Sequence, residues 1–291
     1  MSSPSSSRVF VTGATGTTGL ATLKALRAAG VEVVAGVHSP GKSGQLDAFG
    51  VAIRQIDYAD VASMATAMGG ADRLFLVTPV SRKTAAFTSA IVEAAKAAGV
   101  AHVAKLSGLD VDAEPGSTLG HWHLAAEKVI EASGLAWTFL RANAFMQNFL
   151  GDAGTIKQLG TYFSVFGETP VNFIDARDIG EVAAKVLTSQ GHAGNTYSLT
   201  GPRAMTNAQV SEVLSVAAGK PVTCTAITAE HLCHALKGYG VPAVEASALA
   251  ELLGLIATGT AARTSPDVER LLGRPPREFA RFAADFGGAF R

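Results

Sequence analysis

The stretch Gly13-Ala14-Thr15-Gly16-Thr17-Thr18-Gly19 constrains this chain more than any other. It follows the β-branched run at 9–11 directly and opens an Ala-rich helical pattern at 20–29. Where a strand turns into a helix, glycines at this spacing have three uses. The first permits the tight turn, the second lets backbone approach a pyrophosphate, and the third lets helix and strand pack closely. The free N–H groups of the helix start then face the anion. In this setting the spacing predicts dinucleotide binding by Gly13, Gly16 and Gly19, with Thr15, Thr17 and Thr18 in the same turn. The alternative is a plain glycine-rich turn of another α/β fold.

The surroundings favour the first reading. Short apolar runs at 9–11, 31–37, 51–56, 74–77, 101–107 and 136–140 alternate with helical stretches at 20–29, 60–68, 84–98 and 121–133. Gly30, Gly99 and Gly134 stand just past three of these helices, where a left-handed cap is expected. Such alternation predicts an α/β fold with a Rossmann-type, doubly wound parallel sheet. After 150 the elements shorten. A hairpin is expected at 161–166, strands at 171–174 and 197–200, a helix from Asp178, and helices at 207–218, 229–237 and 244–257. Thr264-Ser265-Pro266-Asp267 reads as the cap and proline start of a last helical region. The expected organisation is a disordered tail at 1–7, a dinucleotide-binding domain at 8–150 to which 171–200 returns, and a smaller α/β substrate lobe from 151–170 and 201–291.

Composition narrows the partners. The 291 residues carry 24 Lys+Arg against 24 Asp+Glu, so the electrostatic footprint of a nucleic-acid binder is missing. No apolar run approaches the ~18 residues a membrane span needs, and the Ser-rich start lacks the pattern of a signal peptide. Two cysteines, Cys224 and Cys233, are too few for a disulfide framework and favour a reducing, cytoplasmic setting. With His231 and His234 they also fit no closed zinc site, and no metal is expected.

The end of the second strand decides the cofactor. An acidic residue there would hold the ribose hydroxyls of NAD and repel a 2′-phosphate. The chain instead reads Val37-His38-Ser39-Pro40-Gly41-Lys42, so NADP(H) is favoured, with His38 and Lys42 facing the phosphate. Lys42 could equally be a solvated loop charge. Asp57 and Tyr58, ending the third strand, are placed for adenine, or Asp57 merely begins a turn. Thr78, Pro79 and Ser107 end the fourth and fifth strands, at the carboxyl edge where such sheets bind ligands. Lys105 shares a strand face with Ser107 and is a further candidate for cofactor contact.

These features together resemble the atypical short-chain dehydrogenase/reductase group that holds the NmrA-like proteins, triphenylmethane reductase and quinone oxidoreductases. The resemblance rests on the glycine loop, Asp57-Tyr58-Ala59-Asp60, the blocks GHWHLAAEKVI at 120–130 and WTFLRANAFMQNF at 137–149, and TSPDVERLLGRPPREF at 264–279. Triphenylmethane reductase looks nearest in pattern. The resemblance implies an NADP-leaning Rossmann domain, a smaller lobe shaping an aromatic-accepting pocket, and either a reductase or a non-catalytic NADP(H) sensor that binds a protein partner.

One departure matters for the chemistry. Short-chain dehydrogenases use Tyr-x-x-x-Lys, in which Lys lowers the phenol's pKa. Here Tyr58, Tyr162, Tyr197 and Tyr239 are followed four residues on by Ala62, Phe166, Gly201 and Ala243. Related isoflavone reductases keep a catalytic Lys early in the helix after the fifth strand, and the resemblance puts His123 there. A neutral imidazole near a helix start could relay a proton, oriented by Glu127; the alternative is a histidine bonded to backbone.

Trp122, Asn143, Phe145, Met146 and Phe149 are the candidate pocket for a flat apolar substrate, or else ordinary core. Asp178 reads as a helix N-cap rather than half of an acid pair with Asp175. The expected activity is hydride transfer from NADPH to a quinone, dye, enone or imine.

Overall fold

The computed structural model describes residues 7–114 and 116–291; of these, the side chains of Pro40, Lys42 and Ser43 also lie outside the description. The expected tail, Ser7 apart, and the expected Lys42 contact therefore fall outside the described residues.

In chain order the first elements are β1 (Arg8–Val11), α1 (Thr17–Ala28), β2 (Glu32–Val37), β3 (Ala52–Gln55), α2 (Val61–Met68), β4 (Arg73–Leu76), α3 (Thr84–Ala97), β5 (His102–Gly108), α4 (Thr118–Glu131) and β6 (Ala136–Ala142). Then come α5 (Ala153–Leu159), β7 (Thr161–Ser164), β8 (Val171–Asn172), α6 (Ala176–Thr188), β9 (Asn195–Leu199), β10 (Ala204–Met205), α7 (Asn207–Ala218) and β11 (Thr223–Ala226). The last are α8 (Ala229–Gly238), α9 (Ala243–Ile256), α10 (Asp267–Leu272), α11 (Phe279–Asp285) and α12 (Gly287–Phe290).

Two compact units share this chain. Of the described residues, the first takes 7–108, 122–141 and 179–197, and the second takes 109–114, 116–121, 142–178 and 198–291. The loops leaving the carboxyl ends of β5 and β6 thus go to the second unit, although the sequence reading kept them with the dinucleotide-binding domain.

The first unit is built on a sheet in the order β3-β2-β1-β4-β5-β6-β9. β1 pairs in parallel with both β2 and β4, so the strand order reverses beside β1. Its residues Val9, Phe10 and Val11 are fully buried, as a strand covered on both faces requires. Thr12 pins the reversal: its hydroxyl donates to Val77 O at 3.0 Å and accepts from Val77 N–H at 2.8 Å. A crevice at the carboxyl edge of such a sheet is where doubly wound folds take ligands.

The second unit holds two short sheets, β10-β8 and β11-β7, around an aromatic core. Phe149 sits edge-on to Tyr162, Phe173 and Phe279, with ring centroids 5.4, 5.2 and 5.1 Å away. The hairpin expected at 161–166 is not formed. β7 pairs instead in parallel with β11, sixty residues further on, a pairing that local turn signals do not encode.

Asp178 is not the N-cap of α6, which begins at Ala176. Its fully buried carboxylate accepts from Arg277 N–H at 2.7 Å and from the guanidinium groups of Arg274, at 2.7 Å, and Arg277. Asp175 fills the capping position, taking Arg177 N–H at 2.9 Å and the Arg177 guanidinium at 2.5 Å.

Candidate active site

Strand β5 carries the least expected side chain of the first unit. Lys105 is fully buried, and its Nζ donates to Leu106 O at 2.9 Å and to His123 Nδ1 at 3.1 Å. Burial pulls its pKa down to about 8, with the Glu127 carboxylate opposing that fall and the Arg141 guanidinium adding to it. His123 is held neutral, its pKa pushed down to about 3 by burial first and by the Lys105 charge second.

The helix start is not what keeps His123 neutral. α4 begins at Thr118, which puts His123 in its second turn, beyond the reach of the terminal dipole. Glu127 does not orient the ring either. It is 2% exposed and gripped by Arg141 through Nε–Oε1 at 3.2 Å and a second guanidinium contact at 2.7 Å.

Two residues beyond Lys105, on the same strand face, the Ser107 hydroxyl is buried and has no hydrogen-bond partner among the described residues. A hydroxyl in that state costs free energy until a ligand group meets it.

The glycine loop forms the cradle that its spacing implies. Gly13 takes φ +60°, and a Cβ there would lie 3.0 Å from the Val77 side chain. At Gly19 a Cβ would come within 2.2 Å of Gly13 O, which no side chain tolerates. Gly16 is the N-cap of α1 and supplies no capping side chain, and no acidic residue stands in the first turn. The first N–H groups of α1 are therefore left for an anion.

Beside the cradle, the His38 ring stacks on Tyr58 at 5.5 Å with planes 2° apart, and Nδ1 meets Ile56 O at 3.2 Å. The sequence reading missed two groups here. Phe87 lies against Tyr58 with ring centroids 4.7 Å apart and planes tilted by 31°, and Gln45 donates to Thr15 O at 2.9 Å from the 3-10 turn at Pro40–Phe49. Nothing in the local pattern marked Gln45. Asp57 has the turn role, its carboxylate accepting Ala59 N–H at 3.0 Å.

The second unit has a cavity of about 520 Å³ whose walls include Phe149, Tyr162, Phe166 and Phe173.

The whole pattern has counterparts among known proteins. The model of the NmrA-like family matches residues 5–279. The chain belongs to the NmrA-like family. An NAD(P)H azoreductase of Xenophilus azovorans is 36% identical over 282 residues, covering 97% of this chain and 99% of that protein. Quinone oxidoreductase 2 of Escherichia coli is 30% identical, covering 94% and 96%. Its crystal structure with NADPH superposes with a TM-score of 0.83 over 96% of this chain and 99% of that one. The triphenylmethane reductase of Citrobacter gives 0.80 at 28% identity, covering 96% and 99%, so identity to the azoreductase exceeds identity to the relative whose pattern looked nearest.

In this NmrA-like chain the cradle, the orphaned Ser107 hydroxyl and the His38–Tyr58 stack fit the pyrophosphate, the nicotinamide end and the adenosine of a dinucleotide. Thr78 and Pro79 follow β4 at the same edge, half-buried and exposed. The five expected pocket residues are not brought together in one unit. Trp122 belongs to the first and the others to the second. Phe149 lines the second unit's cavity, Met146 lies in its core, and Phe145 bridges to Ile174. Both polar atoms of Asn143 are engaged within the fold, Nδ2 by Ala261 O at 3.0 Å and Oδ1 by Ala144 N–H at 2.8 Å. Among the described residues no three His, Cys, Asp or Glu side chains gather as a metal site, and no single helix is long and apolar enough to cross a membrane.

Proposed function

We propose that this chain is an NADP(H)-dependent oxidoreductase that transfers hydride to a small aromatic or conjugated electrophile: a quinone, a dye, an enone or an imine. The observation that carries the reading is the uncapped phosphate cradle, closed to side chains at Gly13 and Gly19, on the sheet whose strand β5 bears Lys105 and Ser107. The cofactors and substrate types named for the azoreductase, the quinone oxidoreductase and the triphenylmethane reductase support it. Residues of the first unit hold the cofactor. Two unbridged thiols support a reducing compartment, and we place the protein in the cytoplasm.

When bound, the reduced nicotinamide supplies the hydride. The chain's own part is the proton. The Lys105 ammonium donates to His123 Nδ1, which fixes the neutral ring as the Nε2–H tautomer. Nε2–H then gives its proton to a developing oxyanion while Nδ1 takes one from Lys105. An amine whose pKa lies at about 8 can release that proton near neutral pH and recover it from solvent. This pair does what Tyr-x-x-x-Lys does elsewhere. A delocalised cation needs no such proton, because hydride alone neutralises it.

The test is consumption of NADPH against a panel of quinones, azo and triphenylmethane dyes, enones and imines, with Gly16→Asp as control. Saturable turnover that the control lacks supports the reading. Tight NADPH binding with no turnover on any acceptor favours the sensor.

A further inference from the structure

Strand β5 holds a buried charge that has no ion-pair partner. The two groups bonded to the Lys105 ammonium, Leu106 O at 2.9 Å and His123 Nδ1 at 3.1 Å, are both neutral. No carboxylate pairs with it among the described residues. The one that acts on it, Glu127 on α4, is gripped at 2.7 Å by Arg141 on β6, and these two charges act on Lys105 in opposite senses. Buried cations are as a rule paired, because a lone charge away from water is costly. Two residues on, along the same strand face, the buried Ser107 hydroxyl lacks a partner as well. A lone cation and an orphaned hydroxyl on one strand face both call for an anion.

His123 decides how that anion is met. Its Nδ1 is occupied by the Lys105 ammonium, so Nε2 carries the proton of the neutral ring. Lys105 is sealed from solvent whereas His123 is partly exposed, so the imidazole is the member of the pair that a ligand reaches. An oxyanion at Nε2–H accepts from a ring polarised by the cation behind it. In so dry a setting a delocalised anion is favoured over a compact one, because it gives up less hydration on entering. We propose that this edge is a binding site for aromatic oxyanions of the phenolate class, with His123 Nε2–H as the donor and Lys105 as a positioning residue whose charge acts through the ring. The assignment rests on the reductase reading for the flat shape of the ligand. It goes beyond that reading in naming a ligand that is no acceptor: an electron-rich phenolate takes up no hydride and occupies the site as a dead-end inhibitor.

The experiment is titration of the full-length chain, without cofactor, using 4-nitrophenol and 4-nitroanisole, an analogue that cannot ionise. The phenol is expected to bind roughly tenfold more tightly or better, the scale of one hydrogen bond to a charged group. Absorption reports the bound form directly, since only the phenolate is yellow. At one pH unit below the phenol's own pKa in water, the bound ligand should be mostly phenolate. Affinity should fall again as pH rises past about 8, where the Lys105 ammonium is lost, which tests the charge without any substitution. Lys105→Met should abolish the yellow complex and bring the two affinities together, with 4-nitroanisole unchanged as the sign that the site keeps its shape. His123→Phe should remove the phenol's advantage as well. A ratio near one in the wild type, a colourless complex below the phenol's pKa, or a yellow complex that survives Lys105→Met overturns the proposal. The titration uses neither NADPH nor turnover. A yellow complex in a protein that reduces no acceptor therefore counts against the reductase reading alone, and turnover without a yellow complex counts against this assignment alone.

Discussion

Lys105 Nζ lies 3.1 Å from His123 Nδ1, so a buried ammonium on a strand donates to a neutral imidazole on the helix that follows. Each explains the other's charge state. The ammonium disfavours a second positive charge on the ring, and the ring takes a donor that would otherwise be unsatisfied. Leu106 O satisfies another of the three ammonium protons.

Turnover with quinones should fall as pH rises through about 8, because the donor form of Lys105 is lost there. Lys105→Met should abolish that limb and cut quinone turnover by roughly 10²-fold or more, within the range for lost general acid catalysis. Cationic dyes should show little of either effect. A pH profile for each acceptor class checks this, and equal losses with both would remove the pair from the proton path.

Gly16→Asp separates binding from folding. Gly16 already has φ −85° and ψ 169°, suited to a capping residue, and a Cβ meets only Gly13 O at 3.3 Å. The aspartate should cap α1 and leave thermal stability unchanged or slightly higher. The same carboxylate repels a pyrophosphate, so NADPH binding should vanish. Gly19→Ala should do the reverse, costing stability because its Cβ meets backbone at 2.2 Å. Melting curves with and without NADPH distinguish the two variants.

Acid should destabilise the fold through two histidines. His102 and His123 have folded pKa values of about 4 and about 3, below the ordinary 6.5, so the unfolded chain binds protons that the native one refuses. Their contribution is fully present above pH 6.5 and is lost as pH falls toward 4 and 3. His102→Gln should flatten part of that slope, by up to about 3 kcal/mol between pH 7 and 4. Urea midpoints across this pH range measure it.

Removing one partner of the Arg141–Glu127 pair should be severe. Arg141→Met leaves a carboxylate only 2% exposed without its cation, at a cost of about 3–5 kcal/mol. Arg141→Met with Glu127→Met should recover much of that loss, which chemical denaturation of the two variants would show.

Much of this architecture was legible because it repeats short-range rules. The strand, glycine turn and helix at 9–28 are contiguous, so their pattern states both a fold and an anion site. His123 was found by resemblance, but its partner was not found with it. Eighteen residues separate it from Lys105, and strand alternation placed Lys105 beside Ser107 without saying what else it faced. The second unit was read less well for the same reason. β7 joins β11 across that unit, and Asp178 is claimed by arginines nearly a hundred residues away. Such partners leave no periodic trace. Gln45 is a single polar residue in a 3-10 turn, and only the folded chain shows that it meets Thr15 O.

The interleaving of the two units sets the order in which the molecule can be made. The first unit is complete only when Tyr197 is available, and the second already owns 109–121 and 142–178 by then. The outer strand β9 therefore comes after six other strands of its sheet and after the earlier segments of the second core, which is completed only from Ser198 onward. Neither half can be cut out as a contiguous piece, so no single truncation or fusion point yields one unit alone.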